Sequence, residues 1–242
     1  MVYNVCEYSN QGGREYNEDS VGHQVIGTNG IFVVADGLGG HQFGELASAC
    51  VIETLVGDFD GDFNNNPTKW LEEQIKLSNQ RILEHQREKS AILKSTVVAL
   101  AIDNGKAVWA NVGDSRLYFI RDRELISITN DHSVAYKKYK AGEISREQIK
   151  TDEDQSCLLR TLGGEDRNQP EIYDHNVKVK VDDAFMLCSD GVWEYISDEE
   201  VLIDYLKSQN AQEWAENLLL RLMDRINGNN DNLTIMTVMV LP

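Results

Sequence analysis

Basic side chains are scarce in this 242-residue chain: 23 Lys and Arg stand against 40 Asp and Glu, a formal net charge of −17. A chain so short of cations lacks the positive footprint that a phosphate backbone needs, which argues against nucleic acid as a partner. Cysteine is sparse too. Cys6, Cys50, Cys157 and Cys188 show no Cys-x-x-Cys spacing, and Cys50 and Cys188 lie inside apolar runs. That usage reads as reduced thiols in a cytoplasmic protein and speaks against zinc. No apolar run approaches the ~20 residues of a membrane helix. The N-terminus up to Gly13 is polar, without the hydrophobic stretch of a secretory signal, so the expectation is a soluble protein with no membrane contact. Internal repeats and low-complexity linkers are also missing.

What is present is an ordinary share of hydrophobic residues, 41%, in a length that suits one sizeable domain. Strand-like runs fall at 30–35, 95–103, 106–112, 116–121, 124–129, 176–181, 184–189 and 233–241. Asn104-Gly105 reads as the tight turn of a hairpin, because both residues tolerate positive φ. Helices are expected over 45–56, over 67–88 with Pro67 in the first turn, over 201–207 behind a Ser197-x-x-Glu200 capping box, and from Asn210 to Ile226. Asn130-Asp131-His132-Ser133 ends a strand and starts another helix. Trp109, Trp193 and Trp214 sit in apolar patterns and read as core. Helices near both ends with strands between them predict an α+β fold, a central β-sandwich of antiparallel sheets with helix pairs outside. The loop 57–66 looks like a calcium loop but lacks the ligand spacing and closing Glu of one.

Three acidic segments far apart in the chain carry the functional signal. Asp36-Gly37 and Asp190-Gly191 each follow an apolar strand-like run, and Asn230-Asp231-Asn232 precedes one. Carboxylates gathered at one edge of a sheet repel one another unless cations lie between them, and hard divalent ions held by Asp oxygens point to phosphate chemistry. Arg14, in Gly13-Arg14-Glu15-Tyr16-Asn17-Glu18-Asp19, offers the planar fork that suits phosphate.

Taken in order, Arg-x-x-Asn-Glu-Asp (14–19), Asp-Gly-x-Gly-Gly-His (36–41), Gly-Glu (44–45), Ser-Thr (95–96), Gly-Asp-Ser-Arg (113–116), Thr-x-Asp-His-Ser (129–133), Leu-x-Arg-x-Leu-Gly (158–163), Ser-Asp-Gly (189–191) and Asp-Asn (231–232) resemble the metal-dependent protein Ser/Thr phosphatases of the protein phosphatase 2C family, in their compact bacterial form. The resemblance runs from about Gly13 to Val240. It implies a sandwich of two antiparallel sheets flanked by helix pairs, a mobile flap over 133–163, and a centre of two Mn²⁺ or Mg²⁺ ions with a third, weaker one. Asp36 would bridge the two ions and Gly37 would lend its carbonyl. Asp190 and Asp231 would hold the second ion, Glu18 would act through metal-bound water, and Asp114 with Asp190 would take the third. Arg14 would bind the substrate phosphate. Phosphoserine and phosphothreonine in proteins would be hydrolysed by direct attack of a metal-bridging water, and no Cys-x5-Arg signature offers a covalent route.

The chain departs from the animal form of the family at Leu38, where a His follows Asp-Gly. His41, three residues later, is the candidate general acid, with a metal-bound water as the alternative. Lys94-Ser95-Thr96 stands where Gly-Thr-Thr is common, which is expected to affect strand entry more than chemistry. Two other functions fit the same motifs: a phosphohydrolase for small phosphoesters, and a pseudophosphatase that binds without catalysis, although none of the metal Asp residues is missing. The reading adopted is a cytoplasmic, monomeric enzyme acting on phosphoproteins, opposite a cognate Ser/Thr kinase.

Overall fold

The computed structural model describes residues 2–39, 43–166 and 168–242. Two antiparallel sheets face each other. In one, β1 (Val2–Asn10), β11 (Leu233–Leu241), β10 (Ala184–Cys188), β7 (Arg116–Arg121) and β8 (Glu124–Ile128) lie side by side in that order. In the other the order is β2 (Asp19–Ile26), β3 (Asn29–Leu38), β5 (Val97–Asp103), β6 (Lys106–Val112) and β9 (Glu171–Lys178), with the two-residue β4 (Lys94–Ser95) against the end of β3. The expected α+β sandwich is therefore what the chain forms.

Strand alternation builds three apolar layers. Phe32 and Val34 of β3 point between the sheets, where they meet Leu100, Trp109, Phe119, Phe185 and Val238. Ile31, Val33 and Ala35 point the other way, onto Ala47, Val51, Leu71 and Ile75 of the helix pair α1 (Phe43–Ile52) and α2 (Pro67–Lys89). On the opposite side, Met186, Cys188 and Ile235 pack against Val201, Trp214 and Leu218 of α5 (Asp198–Lys207) and α6 (Ala211–Met223). A strand buried on both faces must be apolar at every position, which explains the unbroken runs at 30–35 and 184–188. Each large side chain so buried contributes roughly 1.5–3 kcal/mol.

Local signals place the helix ends. Asn66 accepts a hydrogen bond from the Lys69 N–H ahead of Pro67, and Ser197 and Glu200 form the expected capping box. Helix α1 stops at Ile52 and its last turn widens into a π-helical turn, Glu53–Gly57. Asn104 and Gly105 both take positive φ, 48° and 76°, and close the β5–β6 hairpin.

The structure differs from the sequence reading at β1 and β2, at β9 and at the end of α6. Strands β1 and β2 are sheet edges, largely half-exposed and rich in polar residues, so no alternating pattern marks them. Strand β9 begins at Glu171, not at position 176, because Tyr173 stacks on Trp109 (centroids 6.1 Å apart) while Asn176 turns to φ 54°. Helix α6 ends at Met223, short of Ile226. The 133–163 segment holds α3 (Val134–Lys140) and a 3₁₀ turn, Glu147–Thr151. No helix among the described residues is long and apolar enough to cross a membrane.

Candidate active site

A cleft of about 630 Å³ opens at one end of the sandwich, lined by Arg14, Glu18, Asp36, Gly37, Asp190 and Asp231 among others. Six of the residues singled out from the sequence thus surround one space, although they come from both sheets. Asp114 lies behind it, 4% exposed, in the turn between β6 and β7, and does not line the cleft. His41 lies outside the described residues.

Each carboxylate is held through its backbone. Asp36 sits near the end of β3, opposite Asp19 of β2. Its N–H donates to Thr96 Oγ1 (3.0 Å), and its carbonyl accepts from Thr96 N–H (2.8 Å) and Ser95 Oγ (3.1 Å). Ser95 and Thr96, expected to matter more for strand entry than for chemistry, therefore clamp the central Asp. Gly37 cannot carry a side chain, because a Cβ there would lie 2.1 Å from the Gly44 carbonyl oxygen. Glu18 approaches the same spot: its Oε1 accepts the Gly44 N–H at 3.1 Å, and its carbonyl accepts the Gly37 N–H at 3.1 Å.

Asp190 opens α4 (Asp190–Trp193), directly after β10. Ser189 fastens it to two neighbours. Its Oγ donates to Asp19 Oδ2 (2.7 Å), while its N–H donates to the Thr234 carbonyl of β11 (3.0 Å) and its Oγ accepts the Thr234 N–H (3.2 Å). Asn232 does the same for Asp231. Its Oδ1 accepts the Glu18 N–H (2.9 Å) and its Nδ2 donates to the Gln11 and Tyr16 carbonyls (2.8 and 2.9 Å). That side chain ties the loop bearing Arg14 and Glu18 to the segment bearing Asp231, just ahead of β11. Arg14 Nη2 donates to Asp231 Oδ2 at 2.6 Å, placing the guanidinium on the rim.

The electrostatics are those of crowded acids. Burial, and then the charge of Asp190, pushes the Asp36 carboxyl well above its ordinary range. Burial and Asp231 raise Asp190 to about 6; burial, offset by hydrogen bonds from Ser189 and Thr234, raises Asp19 to about 7. Burial and Asp190 likewise push Asp114 up, and burial raises Glu18. Oxygen donors of this kind are hard ligands suited to Mg²⁺ or Mn²⁺, and a cation among them would relieve both desolvation and mutual repulsion. The residues fit such ions by their chemistry, although no three Asp, Glu, His or Cys side chains among the described residues are placed to hold an ion as they stand.

Sequence reasoning missed the contribution of Trp193, whose Nε1–H donates to the Asp114 carbonyl at 2.9 Å. It also missed Glu194, which burial followed by the charges of Asp190 and Asp231 raises to about 8 and which accepts a hydrogen bond from Gln155. Neither shows in a local motif, since both act across the fold.

Residues 7–224 match the family model described as protein phosphatase 2C. The chain is 30% identical over 233 residues to the serine/threonine phosphatase stp of Listeria welshimeri, a match covering 93% of this chain and 90% of the relative. It is 30% identical over 230 residues to the protein phosphatase PhpP of Streptococcus pneumoniae, covering 93% and 92%. Its fold is similar to the crystal structure of the Mycobacterium tuberculosis serine/threonine phosphatase PstP/Ppp, with a TM-score of 0.88 at 28% identity and full coverage of both chains. The PstP catalytic domain in complex with two manganese ions superposes with a TM-score of 0.85 at 28% identity, covering 99% of each chain.

Proposed function

The chain belongs to the protein phosphatase 2C family and is a Ser/Thr protein phosphatase, and from that premise we propose that the cleft between its sheets is the catalytic centre. The observation that carries this reading is the convergence of Asp36, Asp190, Asp231 and Glu18, from four separate stretches of chain, around one cleft that Arg14 also lines. Two divalent ions, Mn²⁺ or Mg²⁺ as the manganese complex of PstP suggests, would supply the positive charge that acidifies water and neutralises the phosphoryl oxygens.

The chain's own residues do the rest. Asp36 and the Gly37 carbonyl, with Asp190 and Asp231, would hold the ions, and Glu18 would orient water on them. Arg14 moves from Asp231 to the phosphate of the substrate, donating two parallel hydrogen bonds. Asp114 and Asp190 would share a third, weaker ion. Phosphoryl transfer would go to water in line, without a phospho-enzyme, because the Asp residues that line the cleft would be engaged in holding the ions. His41 is the candidate proton donor to the departing alkoxide. The substrates are phosphoserine and phosphothreonine proteins, delivered by a cognate Ser/Thr kinase of the bacterial cytoplasm. The working unit is a single catalytic domain acting as a monomer.

Phosphate release from a phosphothreonine peptide, with Mn²⁺ and with EDTA, tests this in the wild type and in Asp190→Ala. Turnover that requires Mn²⁺ and collapses in the variant is expected. A folded, Mn²⁺-loaded wild type that releases no phosphate would overturn the catalytic reading.

A further inference from the structure

His132 stands between the turn that carries Asp114 and the end of the 133–163 segment, and it bonds to both. Its backbone N–H donates to the Gly113 carbonyl at 2.9 Å, and its ring Nδ1 accepts the Gly113 N–H at 3.1 Å. The Gly113 residue is therefore gripped on both its polar groups by one partner. Gly113 needs such a grip, because it holds φ at +102° and lies so close to Thr96 that an added Cβ would fall 2.6 Å from Thr96 Cγ2. Asp114 follows it directly. Asn111 adds a weaker hold, donating from Nδ2 to the Gly113 carbonyl at 3.3 Å.

The ring itself is fixed in turn. With Nδ1 accepting, the imidazole carries its proton on Nε2, which donates toward Glu171 Oε2 at 3.3 Å. Hydrogen bonding by His132, and then by Asn130 and Tyr173, holds the Glu171 carboxyl down at about 2. The Leu159 N–H donates to the His132 carbonyl at 2.7 Å. On the far side of the turn, Trp193 carries the connection from the Asp114 carbonyl into α4 and so to Asp190.

We propose that His132 is a positioning residue for the pair Asp114 and Asp190: its Nδ1 sets the Gly113–Asp114 turn, and thereby how tightly the two carboxylates hold a weakly bound divalent ion. The inference rests on the reading above that Asp114 and Asp190 share that ion. It assigns His132 no contact with substrate and no proton transfer. Glu171 orients the ring so that its acceptor nitrogen points at Gly113.

The distinguishing variants are His132→Asn, whose Oδ1 occupies the place of Nδ1 and can accept from Gly113, and His132→Gln, whose polar atoms reach toward the place of Nε2. Mn²⁺ binding to each is measured by calorimetry, alongside the Tm in EDTA and the Mn²⁺ dependence of peptide dephosphorylation. Wild type and His132→Asn should show the same weak class of Mn²⁺ sites, within about twofold. In His132→Gln the weak class should loosen by about tenfold, the effect of one lost hydrogen bond, with the tight sites unchanged. The proposal falls if the two variants bind Mn²⁺ alike, or if tight and weak sites loosen together in step with Tm. Should His132→Gln not fold, a folded His132→Asn with a loosened weak class would overturn it equally. Asp114→Asn separates the two readings. If that variant keeps the weak class, the assignment of Asp114 to an ion is wrong and the proposal goes with it. If it loses the weak class while His132→Gln keeps it, only the role of His132 is wrong.

Discussion

The indole Nε1–H of Trp193 donates to the backbone carbonyl of Asp114 at 2.9 Å, while the guanidinium carbon of Arg116 sits 3.7 Å above the same indole. One aromatic ring thus joins the helix that starts at Asp190 to the turn that presents Asp114. Replacing it by Phe keeps an aromatic face, removes the donor and leaves a small cavity where the second ring was. Trp193→Phe should lower stability by about 1–3 kcal/mol, because a buried carbonyl loses its partner. That corresponds to roughly 2–4 °C in Tm per kcal/mol for a chain of this size, measurable by thermal unfolding in EDTA.

Arg14 is the exposed member of an ion pair, with its side chain 59% accessible, so its removal should leave the fold intact. Its loss should be felt by the substrate instead. Arg14→Ala is expected to reduce kcat/KM for a phosphothreonine peptide by about 10- to 100-fold, the range for a charge-assisted hydrogen bond, mainly through KM. Arg14→Lys should recover part of that loss, since it keeps the charge without the fork. Steady-state kinetics on the three proteins, at saturating Mn²⁺, provides the comparison.

Gly191 follows Asp190 so closely against β11 that an added Cβ would fall 2.0 Å from the Asn232 carbonyl oxygen. Backbone must move to admit it. Gly191→Ala should cost at least about 1–3 kcal/mol, as overpacking does, and should displace Asp190 and Asp231 from each other. The expected signature is a loss of phosphate release much larger than the fall in Tm would account for at the assay temperature.

Glu194 predicts a pH effect whose sign is fixed by its environment. Burial, and then Asp190 and Asp231, raise its folded pKa to about 8. In the unfolded chain a Glu titrates near ~4.3, so the folded state binds the proton more tightly and stability from this group is lost as pH rises between those values. In EDTA, Glu194→Gln should match the wild type at about pH 4 and below, and exceed it by several degrees in Tm at about pH 8.5. A constant difference across that window would show that the raised pKa is not what the substitution relieves.

The fold was legible where strands are buried on both faces, as at Ile31–Ala35 and Ala184–Cys188, since only apolar residues can occupy such positions. It was not legible at β1 and β2. Their polar, half-exposed sequences are stabilised by pairing with β11 and β3, which leaves no periodic trace. The candidate site divides in the same way. Asp36, Asp190 and Asp231 stand beside Gly or Asn at strand ends, a pattern visible over three residues. Thr96, Ser189 and Asn232 lie within the quoted motifs, but the distant groups they hold, like the one Trp193 holds, are set by the fold and leave no local trace.

Asp36 lies near the end of a strand of one sheet, while Asp190 and Asp231 flank strands of the other. The spacing of the acids is therefore a measure of how the sheets register against each other, and that register is kept by the aromatic layer of Phe32, Trp109, Phe119 and Phe185 between them. A slip of that layer would be read out as chemistry before it was read out as unfolding. Ions lodged among the acids would in turn act as a rivet through both sheets, so that loading the centre and stiffening the sandwich are one event.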